Sequence, residues 1–100
     1  MDILTPYRTR IDALDDQIVD LIAARFDIIH EVAAVKIQHR IPAVLPDRVN
    51  EVINRAVSRA ENHGIDPHLM RDLYTKIVSH SCDLETQHIS RTDPDIHRAG

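Results

Sequence analysis

Four cations, one hydroxyl and one carboxylate are spaced along this chain so that they could hold a small anion: Arg8, Arg25, Lys36, Arg48, Ser81 and Glu85. Arg25 interrupts an apolar line that runs Tyr7, Ile11, Leu14, Ile18, Leu21 before it and Ile28, Val32, Val35 after it. An arginine on such a line is costly unless it is paired or bound to an anion. Lys36 follows eleven residues later. On a helix that is about 20° around the axis and roughly 16 Å along it. Two long side chains so placed can lean together and grip opposite ends of an elongated anion. The plainer alternative is snorkelling or salt-bridged side chains, with Asp15, Asp27 or Glu31 as partners. On spacing alone that alternative is the better supported.

Arg8 precedes Arg25 by seventeen residues, roughly 25 Å down a helical rod. It cannot reach the same ligand from the same chain. If it serves that ligand, it comes from a second chain whose helix lies antiparallel to the first. Otherwise it is a solvated N-terminal charge, which the sequence alone favours. Arg48 opens a second helix, where a cation opposes the helix dipole by a few tenths of a kcal/mol. An anion held jointly by that helix N-terminus and Arg48 would offset the penalty. An ordinary exposed arginine explains it equally well. Ser81 and Glu85 sit one turn apart and extend the line of Leu73 and Ile77. A carboxylate on an apolar line pairs with a cation or keeps its proton. The bland alternative is an exposed Glu at a frayed helix end.

Other chemistries find little support. His63 and His68 are separated by Gly64, and His80 and His88 are two turns apart with no third ligand in reach, so no metal is expected. Cys82 has no His or Lys three or four residues away on its own helix face and reads as a packing residue. Being alone, it also excludes a disulfide framework. There is no glycine-rich phosphate loop and no Ser-His-Asp arrangement.

The elements that must position these residues are helices. Prolines at 6, 42, 46, 67 and 94 and Gly64 divide the chain into three segments. The first opens on Thr5-Pro6, a good N-cap followed by a proline at the first helical position. Its apolar steps of four and three run to about His39, which is a helix period. That makes a rod about 50 Å long. Such a rod is too long for a small monomer's core and wants a partner helix along its length. The stretch RIPAVLP connects it to a second helix, from Pro46 or Asp47 to His63, with Gly64 as its C′ residue. Asp66-Pro67 starts a third helix, striped by Leu69, Met70, Leu73, Ile77, Ser81 and Leu84 and reaching about Ile89. No strand is expected. The expected domain is residues 1–90, and the polar tail 91–100 is expected to be disordered.

One hundred residues make one domain with a thin core, so an oligomer would help it. A net charge of −4 with no Lys/Arg run argues against nucleic acid. No apolar run approaches the roughly 20 residues that span a bilayer. MDILTPYRTR lacks the apolar region of a secretion signal, so the cytoplasm is the expected location.

Taken together, YRTRIDALDDQIVDLIAARFDIIHEVAAVK resembles the long first helix of the all-α (AroQ) class of chorismate mutases. Arg8, Arg25 and Lys36 fall on that family's three cationic positions, PDRV puts Arg48 on its fourth, and Ser81 and Glu85 fall on two more. The resemblance covers about residues 4 to 89. Each motif alone is weak, since Arg and Lys are common, but all stand in register. The resemblance implies an intertwined helical homodimer with two sites, each taking one arginine from the partner. It implies the Claisen rearrangement of chorismate, a dicarboxylate, to prephenate, with no cofactor. It assigns the carboxylates to Arg25 and the partner's Arg8, the ether oxygen to Lys36 and Glu85, and leaves Arg48 flanking the ligand and Ser81 lining the pocket.

Two departures stand out. The best-known bacterial mutases carry a Glu directly after the Arg48 position, holding the ring hydroxyl; here it is Val49. The IPA and PDRV stretches also resemble isochorismate pyruvate-lyases of the same fold. Glu85 replaces the more usual Gln. Ionised, it repels the ether oxygen; protonated, it donates to it, and Glu85→Gln is then expected to flatten the pH dependence of the rate. Glu85 leans toward a mutase, since the lyases carry Gln there. The runner-up activities are that lyase and a mutase of amino-substituted chorismate. A reading of another class is a non-catalytic helical module whose seam cations only pair with Asp and Glu for dimer specificity. Lys36→Ala is expected to separate the two, costing rate in an enzyme and stability in a module. With no appended regulatory domain in the sequence, feedback control is not expected.

Overall fold

A computed structural model describes residues 2–92. It consists of α1 (Thr5–His39), α2 (Pro46–Asn62) and α3 (Pro67–Thr92), with no strand among the described residues. The all-α expectation is met. None of these helices is long and apolar enough to cross a membrane.

The helix ends follow from local chemistry, with one correction. Thr5 is not the N-cap of α1; Leu4 is, and no side chain caps it. Asp2 instead orders the turn that leads into the helix. Its Oδ1 accepts from the Leu4 N–H at 2.9 Å and its carbonyl from the Thr5 N–H at 3.3 Å, so the helix begins one residue early. At the other end of α1, Arg40 adopts a left-handed conformation with φ of 55°. The Ile41 N–H then reaches back to the Lys36 carbonyl at 2.8 Å. Gly64 closes α2 as expected, at φ of 70°. Its N–H donates to the Glu61 carbonyl at 3.1 Å, and the Ile65 N–H donates to that of Ala60 at 2.9 Å. That pair of bonds is the Schellman motif, which needs a left-handed residue where Gly has no Cβ to strain. Asp66 caps α3, its Oδ1 accepting from the His68 N–H at 2.8 Å. α3 continues to Thr92, past the expected end near Ile89. Of the expected tail, residues 93–100 lie outside the described residues.

α3 packs against both α1 and α2, which do not approach each other. Ile53 and Val57 of α2 bury against Val78 of α3, with Val49, Val52, Tyr74 and Cys82 around them. α1 meets α3 through Ala33, which is fully buried, and the half-buried Ile22, Phe26, Ile29 and Ile37. The Phe26 ring sits edge-on to His80 with centroids 5.1 Å apart. This is not the stripe the periodicity selects. Tyr7, Ile11, Leu14, Ile18, Leu21, Ile28 and Val35 remain exposed. α1 carries two apolar stripes about 100° apart, one residue out of step; the second packs on α3, while the first is bare through Leu21 and edges the space beside α3 from Arg25 onward. Leu69 and Leu73 of α3 are likewise exposed, while Val78, Ser81, Glu85 and Ile89 are buried.

Every described residue of α1 up to Leu21 is exposed, so its first half overhangs the rest. The molecule measures 63 × 27 × 17 Å, with a radius of gyration of 17.8 Å. A compact chain of this length would have about 13 Å.

Candidate functional site

The second half of α1, the connector, the start of α2 and the second half of α3 enclose a cleft of about 300 Å³. That is at the small end of ligand-site volumes. Arg25, Lys36, Arg48, Ser81 and Glu85 all line it. Arg8 does not.

Lys36 is the best-held cation. Its Nζ donates to the Ala43 carbonyl at 2.8 Å and stands 2.7 Å from Glu85 Oε1. Only 13% of the Lys36 side chain and 6% of the Glu85 side chain are exposed. The Lys36–Glu85 contact is an ion pair by distance, but its angles are not those of a hydrogen bond, and Oε1 has no other partner. The helices impose this pairing. Lys36 lies in the last turn of α1, where cations are favoured by the helix dipole. Glu85 lies one turn beyond Ser81 on the buried face of α3.

Arg25 donates to Ser81 Oγ at 2.6 Å, and Ser81 Oγ in turn donates to the Ile77 carbonyl at 2.9 Å. The serine thus anchors an arginine on the α1–α3 seam without neutralising it. None of the suggested partners Asp15, Asp27 and Glu31 forms an ion pair with Arg25 or Lys36 among the described residues. Arg48 projects from the first turn of α2, 60% exposed and paired with Glu51. Arg8 is 63% exposed and paired with Asp2. By the helix rise it lies about 25 Å from Arg25.

Three cations face one carboxylate in the cleft, a net positive field suited to an anion of more than one charge. The remaining walls are apolar, with Ile28, Val32, Leu45, Val49, Val52 and Val78 prominent among them. Two contributors escape sequence reasoning. The Ala43 carbonyl has no signal in residue type. Cys82 lines the cleft rather than merely packing. Burial holds its thiol above the ordinary cysteine range, and Glu85 adds to the rise, Lys36 opposes it, Asp83 adds and Arg25 opposes. Among the described residues no group of three or more His, Cys, Asp or Glu could hold a metal.

Fold and site define an all-helical protein whose cleft gathers three cations around one carboxylate. The family model for chorismate mutase type II matches residues 7–86. A 4-amino-4-deoxychorismate mutase from Streptomyces pristinaespiralis is 36% identical over 89% of this chain and 69% of its own length. The corresponding enzyme of Streptomyces venezuelae is 34% identical over 88% of this chain and 85% of its own. A chorismate mutase from Methanocaldococcus jannaschii is 28% identical over 89% and 90%. The chain belongs to the type II chorismate mutase family.

Proposed function

We propose that the protein rearranges chorismate to prephenate as a homodimer. The carrying observation is Lys36, clamped between Glu85 and the Ala43 carbonyl in a cleft it shares with Arg25 and Arg48. In this reaction the ether C–O bond breaks as a C–C bond forms between the enolpyruvyl methylene and the ring. No proton or electron is exchanged. Partial negative charge gathers on the ether oxygen, and a fixed donor there lowers the barrier. An ammonium has three N–H bonds, so Lys36 keeps two after serving Ala43, and one can serve that oxygen. Glu85, ion-paired with Lys36, fixes that ammonium in the cleft. Arg25, steadied by Ser81, holds one carboxylate and Arg48 flanks the ligand. Holding both carboxylates keeps the enolpyruvyl arm folded over the ring, which is the orientational part of the catalysis.

The remaining carboxylate falls to the partner's Arg8. What supports a dimer is the bare apolar face of α1 from Tyr7 to Leu21. The isolated chain exposes 7995 Å², against roughly 5,800 Å² for a compact monomer of its mass. Two copies of α1 laid antiparallel cover that face and carry each Arg8 toward the other chain's Arg25. The substrate is a diffusible metabolite, and the proposal places the enzyme in the cytoplasm.

Purified protein is expected to remove the ultraviolet absorbance of chorismate, with prephenate identified by mass spectrometry. Unchanged absorbance contradicts the proposal, and salicylate plus pyruvate from isochorismate would identify a lyase instead. The same rearrangement on 4-amino-4-deoxychorismate is a second reading, supported by what the two Streptomyces relatives are named for.

A further inference from the structure

We propose that Cys82 is a covalent-modification site for small carboxylates that carry an electrophilic carbon, and that its modification closes the cleft to substrate. The recruitment of such a reagent rests on the cleft's own geometry, and the closure rests on the rearrangement proposed above.

The cleft supplies what such a reagent needs. Cys82 is half-buried and lines it together with Arg25, Lys36 and Arg48. On α3 the thiol lies between the two side chains that hold the cations: Ser81 accepts from Arg25, and Glu85 pairs with Lys36. Both cations are near enough to act on the thiol, each opposing the rise in its pKa that burial and Glu85 cause. A second feature marks this space as one that receives a ligand. Glu85 is 5% exposed, and its Oε1 accepts no hydrogen bond although the residue lines the same cleft.

Two effects oppose each other at this sulfur. The raised pKa keeps the thiol protonated at neutral pH, and only the thiolate attacks, so a neutral reagent finds a slow cysteine. A carboxylate is drawn to the cations and held beside the sulfur, where its effective concentration is raised. The charge of the reagent therefore decides how fast Cys82 reacts. With an α-halo acid, the thiol proton is lost to solvent, a bond forms from Sγ to the α carbon, and halide leaves with its bonding electrons. With an α,β-unsaturated acid, Sγ adds at the β carbon and a solvent proton ends on the α carbon. Either product is a thioether whose carboxylate is tethered near Arg25 and Lys36. In a cleft of about 300 Å³ it takes the place of a substrate carboxylate.

Iodoacetate and iodoacetamide test this on the full chain, because they share a reacting carbon and a leaving group and differ in charge. Intact mass gives the rate of each at pH 8 on folded and on urea-unfolded protein. The ratio of the iodoacetate rate to the iodoacetamide rate should be about tenfold or more higher in the folded protein. High salt should shrink that ratio, as should Arg48→Gln, a change at an exposed side chain of the cleft rim. Rearrangement of chorismate should fall in proportion to the mass gained. Under the same treatment Cys82→Ala should gain no mass and lose none of its own rate. A folded ratio no higher than the unfolded one overturns the recruitment. Full modification with undiminished rearrangement overturns the closure. If chorismate does not turn over at all, the proposed rearrangement fails and the closure with it, while the mass ratio still decides whether Cys82 is the site.

Discussion

Lys36 and Glu85 form a buried ion pair that ties the last turn of α1 to α3, 2.7 Å apart. Removing one partner of such a pair strands the other charge, at about 3–5 kcal/mol. Lys36→Ala alone therefore cannot separate catalysis from structure, because Glu85 is left behind. The double variant Lys36→Met/Glu85→Gln removes both charges. It is expected to regain most of the stability that Lys36→Ala loses while its kcat stays orders of magnitude below the unaltered protein. Thermal unfolding and single-turnover kinetics measure the two independently. A double variant with near-normal kcat would assign the pair to structure alone.

Cys82 offers a pH-dependent probe of the same charges. Its raised pKa keeps the thiol neutral in the folded state at pH values where an exposed cysteine already ionises. The folded state carries no penalty from this group below the ordinary thiol range, and loses stability as pH rises through the raised value. Alkylation by iodoacetamide at pH 8 should be slower for folded than for urea-unfolded protein. Glu85 is the largest charge raising this thiol, so Glu85→Gln should speed alkylation. Equal or slower alkylation in that variant would refute the electrostatic link.

Arg40 holds a left-handed conformation that costs a non-glycine residue about 1 kcal/mol. Arg40→Gly relieves it and adds chain entropy to the unfolded state, for a net gain of up to about 1 kcal/mol. A β-branched residue suffers more there, so Arg40→Val should destabilise. Chemical denaturation of both variants reads the difference. If Arg40→Gly is the less stable of the two, the backbone at this position is not strained.

What the sequence made legible was the element ends and the seam. Pro46, Gly64 and Asp66-Pro67 act through local backbone chemistry, and each marks the boundary found. Arg25, Lys36, Ser81 and Glu85 were visible because each breaks an apolar line, and the structure brings them to one cleft with Arg48. Their partners were not visible. Lys36 and Glu85 lie far apart in the chain, and the Ala43 acceptor is a backbone atom. The second stripe of α1 was missed because periodicity picks one line of a helix, and the first half of the chosen line, Tyr7 to Leu21, lies away from the chain's own core. Arg40 escaped notice because a left-handed arginine follows no residue preference.

The proposed dimer builds each site from Lys36 of one chain and Arg8 of the other. Arg8→Ala and Lys36→Ala homodimers should each be nearly inactive. Unfolded together and refolded as an equal mixture, half the dimers are hybrids, and each hybrid holds one site with both residues intact. The mixture is then expected to recover about a quarter of the unaltered activity on chorismate. Activity no greater than the average of the two variants, with hybrid formation verified by mass spectrometry, would contradict a site shared between chains.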